Sequence, residues 1–136
     1  MHVKTASNLT KSNFMTEILI DNDISIETIQ SEFRKHFPFL KLVFYKTAHE
    51  TTAGSQPKDE IDNTLTIGEV RTKDSEGHIS INGHKKVSTL ETEFREHYGL
   101  NVQVFRKSRK IWLQTTATDN WTLSEQNERG GEASID

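Results

Sequence analysis

Residues 28–46, TIQSEFRKHFPFLKLVFYK, are nearly repeated 61 residues later and without a gap in residues 89–107, TLETEFREHYGLNVQVFRK. Eight of the 19 aligned positions are identical, among them Phe33/Phe94, Arg34/Arg95, His36/His97, Val43/Val104, Phe44/Phe105 and Lys46/Lys107. Chance gives roughly one or two matches at ordinary residue frequencies, so the pattern reads as a duplicated unit. Ile26, Ile29, Phe33 and Phe37 fall at spacings of 3, 4 and 4, one apolar stripe of a helix, and Val87, Leu90, Phe94 and Tyr98 repeat it. Pro38 and Gly99 stand where such helices end.

Working outward, residues 15–20 and 78–82 read as a strand before each helix, and residues 39–46 and 102–107 as a strand after it. Residues 39–46 are nearly continuously apolar, as in a strand buried on both faces. Residues 108–110 close a hairpin onto residues 111–116. Ser25 is the expected cap of the first helix. Ser88 with Glu91, and Thr122 with Glu125, read as capping boxes, the latter opening a final short helix; residues 64–70 suggest at most a helical turn. The segment 62–65 is matched to 119–123 as the end of each copy. The fold expected is α+β: duplicated β-α-β units in a ferredoxin-like arrangement, a mainly antiparallel sheet with its helices on one face, plus the hairpin strand and the C-terminal helix. Phe33, Phe37, Phe94, Tyr98, Val43, Val104 and Leu113 are expected to share one core. Residues 1–13 are expected to be a disordered or extended tail, 14–127 one domain with units at about 15–71 and 78–127, and 128–136 a polar tail. The 31-residue connection 47–77 is long for a compact domain.

With no cysteine, the chain has no disulfide framework, thiolate metal site or cysteine nucleophile. No apolar run approaches the roughly 18 residues that span a membrane, and the N-terminus lacks a signal-peptide stretch, so a cytoplasmic location is expected. Six histidines are present, but none pairs at i,i+4 on a helix and no HExxH occurs, so no metal or cofactor is expected. His36 and His97, each near a helix end, suit the terminal carbonyls.

Charge is uneven: residues 84–110 carry seven bases against three acids, while 50–76 carry seven acids against three bases. The basic hairpin Arg106, Lys107, Arg109 and Lys110, with Phe105 and Trp112 beside it, could track phosphates and stack a base. The loop from Lys46 through His49 and Glu50 groups a base, an acid and hydroxyls, yet no nucleophile elbow or phosphate-binding loop accompanies it. The expectation is a non-enzymatic protein-interaction or regulatory module, monomer or homodimer, with Lys46, His49, Arg106, Lys107, Arg109, Lys110 and Trp112 as partner-binding candidates. RNA or DNA binding through residues 106–110 is the alternative. Trp121 is expected as a staple ahead of the last helix.

The segments YGLNVQVFRK (98–107), WLQTT (112–116) and WTLSEQN (121–127), with TIGEVR (66–71) before them, resemble a family of small bacterial proteins of unknown function. The resemblance implies a stand-alone bacterial cytosolic protein and brings no activity, cofactor or catalytic residue with it.

Overall fold

The computed structural model describes residues 16–46 and 55–133. In chain order the elements are β1 (Glu17–Ile20), α1 (Ile26–His36), β2 (Leu40–Tyr45), α2 (Ile67–Val70), β3 (Gly77–Ser80), α3 (Val87–Tyr98), β4 (Asn101–Ser108), β5 (Ile111–Gln114) and α4 (Leu123–Ala133), with short 3-10 turns at Pro57–Asp59 and Thr116–Thr118. The fold is α+β, with two antiparallel sheets and four helices among the described residues.

The helical stripes form as their spacing requires. Ile26, Ile29 and Phe33 of α1 and Val87, Leu90 and Phe94 of α3 are fully buried. The Ser25 hydroxyl accepts from the Thr28 amide at 3.1 Å and caps α1. Helix α3 starts earlier than the expected Ser88 cap, because the Val87 and Ser88 amides donate to the carbonyls of Trp121 and Asp119. The Ser88–Glu91 box therefore does not form; Glu91 is buried and accepts from the Val104 amide at 3.3 Å. Gly99 ends α3 in the left-handed region at φ 63°, where a Cβ would lie 2.1 Å from Thr72 Oγ1 and 2.8 Å from the Lys73 amide. The Thr122–Glu125 capping box is made in full. Helix α4 continues through residues 128–133, where a polar tail is expected, with Gly130 and Gly131 against Phe39.

A single ferredoxin-like sheet is not formed. The strands divide into β1–β3 and β2–β4–β5, antiparallel throughout. Such a sheet needs β3 beside β2 and β1 beside β4, and neither edge is open. The outer edge of β2 is taken by Gln30, whose amide donates to the Leu42 carbonyl at 2.8 Å, and by the bridge from Tyr45 to Glu60. The outer edge of β4 is taken by the β5 hairpin.

Backbone bonds recur at matched positions in the two halves. Ile26 and Glu27 donate to the carbonyls of Leu65 and Asn63, as Val87 and Ser88 donate to those of Trp121 and Asp119. Ile67 and Gly68 donate to Ile24 and Asn22, as Leu123 and Ser124 donate to Lys85 and Gly83. These bonds align Leu65 with Trp121 and Ile67 with Leu123, whereas the sequence match of segment 62–65 to 119–123 aligns Leu65 with Leu123.

The ungapped sequence alignment does not carry through to the strand faces. Helix α3 has 12 residues and α1 has 11, so the strands correspond at a spacing one residue longer. Leu42 pairs directly with Val104, and both point into the core. A one-residue slip reverses strand faces, so Phe44 is buried in the core while Phe105 lies on the opposite, outer face. The core gathers Ile18, Ile20, Ile79 and Ile81 of the β1–β3 region, the stripes of α1 and α3, and Leu40, Leu42, Phe44, Val102 and Val104. Val43 is buried outside that cluster, and Leu113, expected in the core, is 38% exposed on the edge strand.

Phe94 sits edge-on to Phe44, ring centroids 5.7 Å apart, and joins a residue from each half. Phe94→Ala is expected to cost about 3–5 kcal/mol, and Phe33→Ala a similar amount, with one cooperative transition retained in denaturant unfolding of each variant.

Candidate functional site

Alternation along the three-stranded sheet places Lys41, Val43 and Tyr45, then Gln103, Phe105 and Lys107, then Trp112 and Gln114 on its outer face. Half of this face is covered. Ser55 clamps Gln114 through two hydrogen bonds, 2.9 and 3.0 Å, and Val43, Tyr45, Gln103 and Ser55 are buried. Burial, reinforced by Glu60, pushes the Tyr45 hydroxyl up to about 12.

The other half is open and basic. Lys107 Nζ and Lys41 Nζ each lie 5.0 Å from the centre of the Trp112 ring, and the Arg34 guanidinium carbon lies 5.1 Å from it. Lys41 also sits 5.3 Å above Phe105. Arg34 reaches this face from the last turn of α1, its guanidinium also donating to the Pro38 carbonyl at 3.3 Å. The indole attracts all three cations through its quadrupole but neutralises none of them. Among the described residues none of the three forms an ion pair. Burial lowers the Lys41 ammonium below the usual lysine range; Glu60 opposes this, and Arg34 and Lys107 add to it. The cluster is therefore a set of positive charges held in position and short of counter-charge.

Of the partner-binding candidates, the structure brings Lys107 and Trp112 together. Arg109 and Lys110 are exposed at the hairpin tip, Arg109 at φ 57° as a two-residue hairpin turn requires. Arg106 points to the opposite face, donating to Gln126 Oε1 at 2.8 Å with its guanidinium 5.6 Å from the Trp121 ring; it does not belong to the cluster. Lys46 lies at the far end of β2, and His49 is outside the described residues. Phe105, read from the sequence as a stacking ring beside the hairpin, is part of the cluster; Arg34 and Lys41 are the members that sequence reasoning missed. The pairing register, which sets Lys41 opposite Phe105 and Lys107 opposite Trp112, would have found Lys41.

Elsewhere, an open depression of about 500 Å³ follows the outside of α1, lined by Glu27, Gln30, Ser31, Arg34, Lys35 and Pro38. Among the described residues no three His, Asp or Glu side chains gather as a metal site, and no helix is long and apolar enough to cross a membrane. Comparison with protein-family models, curated proteins and solved structures gives no match. The chemistry of the face is what remains to read.

Lys41 holds its proton less tightly in the folded protein than in the unfolded chain. Its charge therefore costs stability at neutral pH, and the cost fades as pH rises through its lowered folded value toward the unfolded 10.5. Lys41→Met is expected to raise Tm by about 1–3 °C at pH 7, with the difference closing above pH 10. A lower Tm at pH 7 would show that the contacts to Trp112 and Phe105 outweigh burial and repulsion.

Proposed function

We propose that the protein is a non-catalytic binding module, built from two copies of one β-α-β unit, that holds a single-stranded nucleic acid on the outer face of its three-stranded sheet. The observation carrying this reading is the trio Arg34, Lys41 and Lys107 around the Trp112 ring, free of ion pairs among the described residues. Phosphates would take the donor hydrogens that the indole leaves free and relieve the repulsion among the three cations. Bases would stack on Phe105 and on Trp112 where a cation moves aside to a phosphate. Arg109 and Lys110 extend the positive surface past the hairpin tip. With a formal charge of −3 the whole chain offers no net attraction for an anion, so binding would rest on the local charges of this face. The recurring backbone bonds of the two halves support the duplication. A cytoplasmic bacterial protein, as the family resemblance implies, is compatible with this role.

A second reading, a protein partner adding a strand along β5, is favoured by the exposure of Ile111 at 58% and Leu113 at 38% on that edge. Under it, Leu113→Lys would abolish partner binding, whereas the nucleic-acid reading leaves oligonucleotide affinity unchanged by that variant.

Fluorescence anisotropy with a labelled 12-nucleotide DNA strand and a poly-glutamate competitor tests the main reading. Micromolar binding at 50 mM salt is expected, weakening roughly 20- to 100-fold at 200 mM if three to five phosphate contacts release their counterions. Trp112→Ala combined with Lys107→Ala should weaken it at least about tenfold. Absence of binding at low salt, or equal displacement by poly-glutamate, would refute nucleic acid as the ligand.

A further inference from the structure

The two halves differ most where their final helices end. In the second half Trp121 is stacked by Arg106 and Arg129, each 5.6 Å from its ring, and Gln126 is buried and bonded to Arg106 and Thr118. Nearby, Phe39 is covered by Gly130 and Gly131 and fixed by its amide to Asn127 Oδ1. The matched backbone bonds place Leu65 where the second half has Trp121, and Val70 where it has Gln126. Strand pairing places Asn101, opposite Tyr45, where the other end of the pair has Phe39, bonded to Lys107. The end of the strand pair beside α2 therefore lacks two aromatic rings that the end beside α4 has, and α2 stops at Val70 instead of running three turns.

A cavity of about 250 Å³ occupies that place, lined by Tyr45, Lys46, Ile61, Leu65, Val70, Thr72, Gly99, Leu100 and Asn101. Its walls are mainly apolar. At the rim, Lys46 forms no ion pair among the described residues, and the Asn101 amide makes only a 3.5 Å contact to the Lys46 carbonyl. Drug-sized ligands use pockets of about 300–1,000 Å³, while benzene fits an engineered cavity of about 150 Å³. One or two fused rings match the space.

We propose that this cavity binds a small planar aromatic carboxylate, the ring lying between Leu65, Val70 and Leu100 and the carboxylate meeting Lys46 and Asn101. The ring supplies what Trp121 supplies in the other half. The site lies at the opposite end of β2 from Trp112 and stands independently of the nucleic-acid reading.

Titration of the full chain with indole-3-acetate, followed by the methyl resonances of Leu65, Val70 and Leu100, tests it. With about a dozen ligand atoms, a Kd on the order of 1 mM is expected, with shifts centred on those three methyl-bearing residues. Lys46→Gln should weaken indole-3-acetate severalfold and leave neutral indole unchanged. Leu65→Trp, which restores the ring of the second half, should weaken binding at least tenfold. Because that variant changes packing, the methyl map of the unaltered chain stands as a separate criterion. No shift at those methyls up to about 10 mM, shifts confined to other residues, or undiminished binding by a folded Leu65→Trp variant would overturn the proposal.

Discussion

Six residue pairs between β2 and β4, from Leu40 opposite Arg106 to Tyr45 opposite Asn101, join strands about 60 residues apart in sequence. The two helices that bury Phe33 and Phe94 pack against these strands, α1 on β2 and α3 on β4. The register fixes both faces at once. With Leu42 beside Val104 on the inner face, Lys41 must stand beside Phe105 on the outer one. Core and candidate binding face are consequences of one alignment, and neither can shift without exchanging apolar and charged side chains.

That alignment explains what the sequence reveals and what it hides. The helices are legible because their stripes are local: spacings of three and four residues mark Ile26 to Phe33 and Val87 to Phe94 without any knowledge of partners. Caps are local at Ser25 and Thr122, which behave as their chemistry requires, but not at Ser88, where bonds to Trp121 and Asp119 start the helix earlier. Strand faces are different. Identity at Phe44/Phe105 and Val43/Val104 suggests equivalent environments, yet the longer α3 shifts the second strand by one residue and inverts the comparison. Gln103 was hidden for another reason, since it alternates as a surface residue but is buried on the covered half of the outer face. Division into two sheets depends on edges closed from afar, by Gln30 and Glu60 on one side and by the β5 hairpin on the other. No pattern in β1 or β3 announces it.

The candidate face was half legible for the same reason. A run of bases at 106–110 is visible in the sequence, but alternation sends Arg106 inward to Gln126 and Lys107 outward to Trp112. Arg34 and Lys41 join from α1 and β2, brought in by tertiary contacts alone. Three cations around one indole are a poor arrangement for stability, because like charges repel and Lys41 also loses hydration. Folded proteins retain such groupings where a ligand supplies the missing counter-charge, and this supports reading the face as a binding surface. Asymmetry between the two ends of the strand pair has a parallel meaning: Trp121 and Phe39 close the end beside α4, and the corresponding space beside α2 is left open.

Native-state hydrogen exchange most directly tests the claim that the β2–β4 pairing holds both halves together. The amides of Lys41, Val43, Gln103 and Phe105, which face the partner strand across the pairing, should exchange only through global unfolding, and the buried amides of α1 and α3 should share that opening free energy. Opening of one helix and its strand at a free energy lower by roughly 2 kcal/mol or more, with the other half still protected, would contradict it.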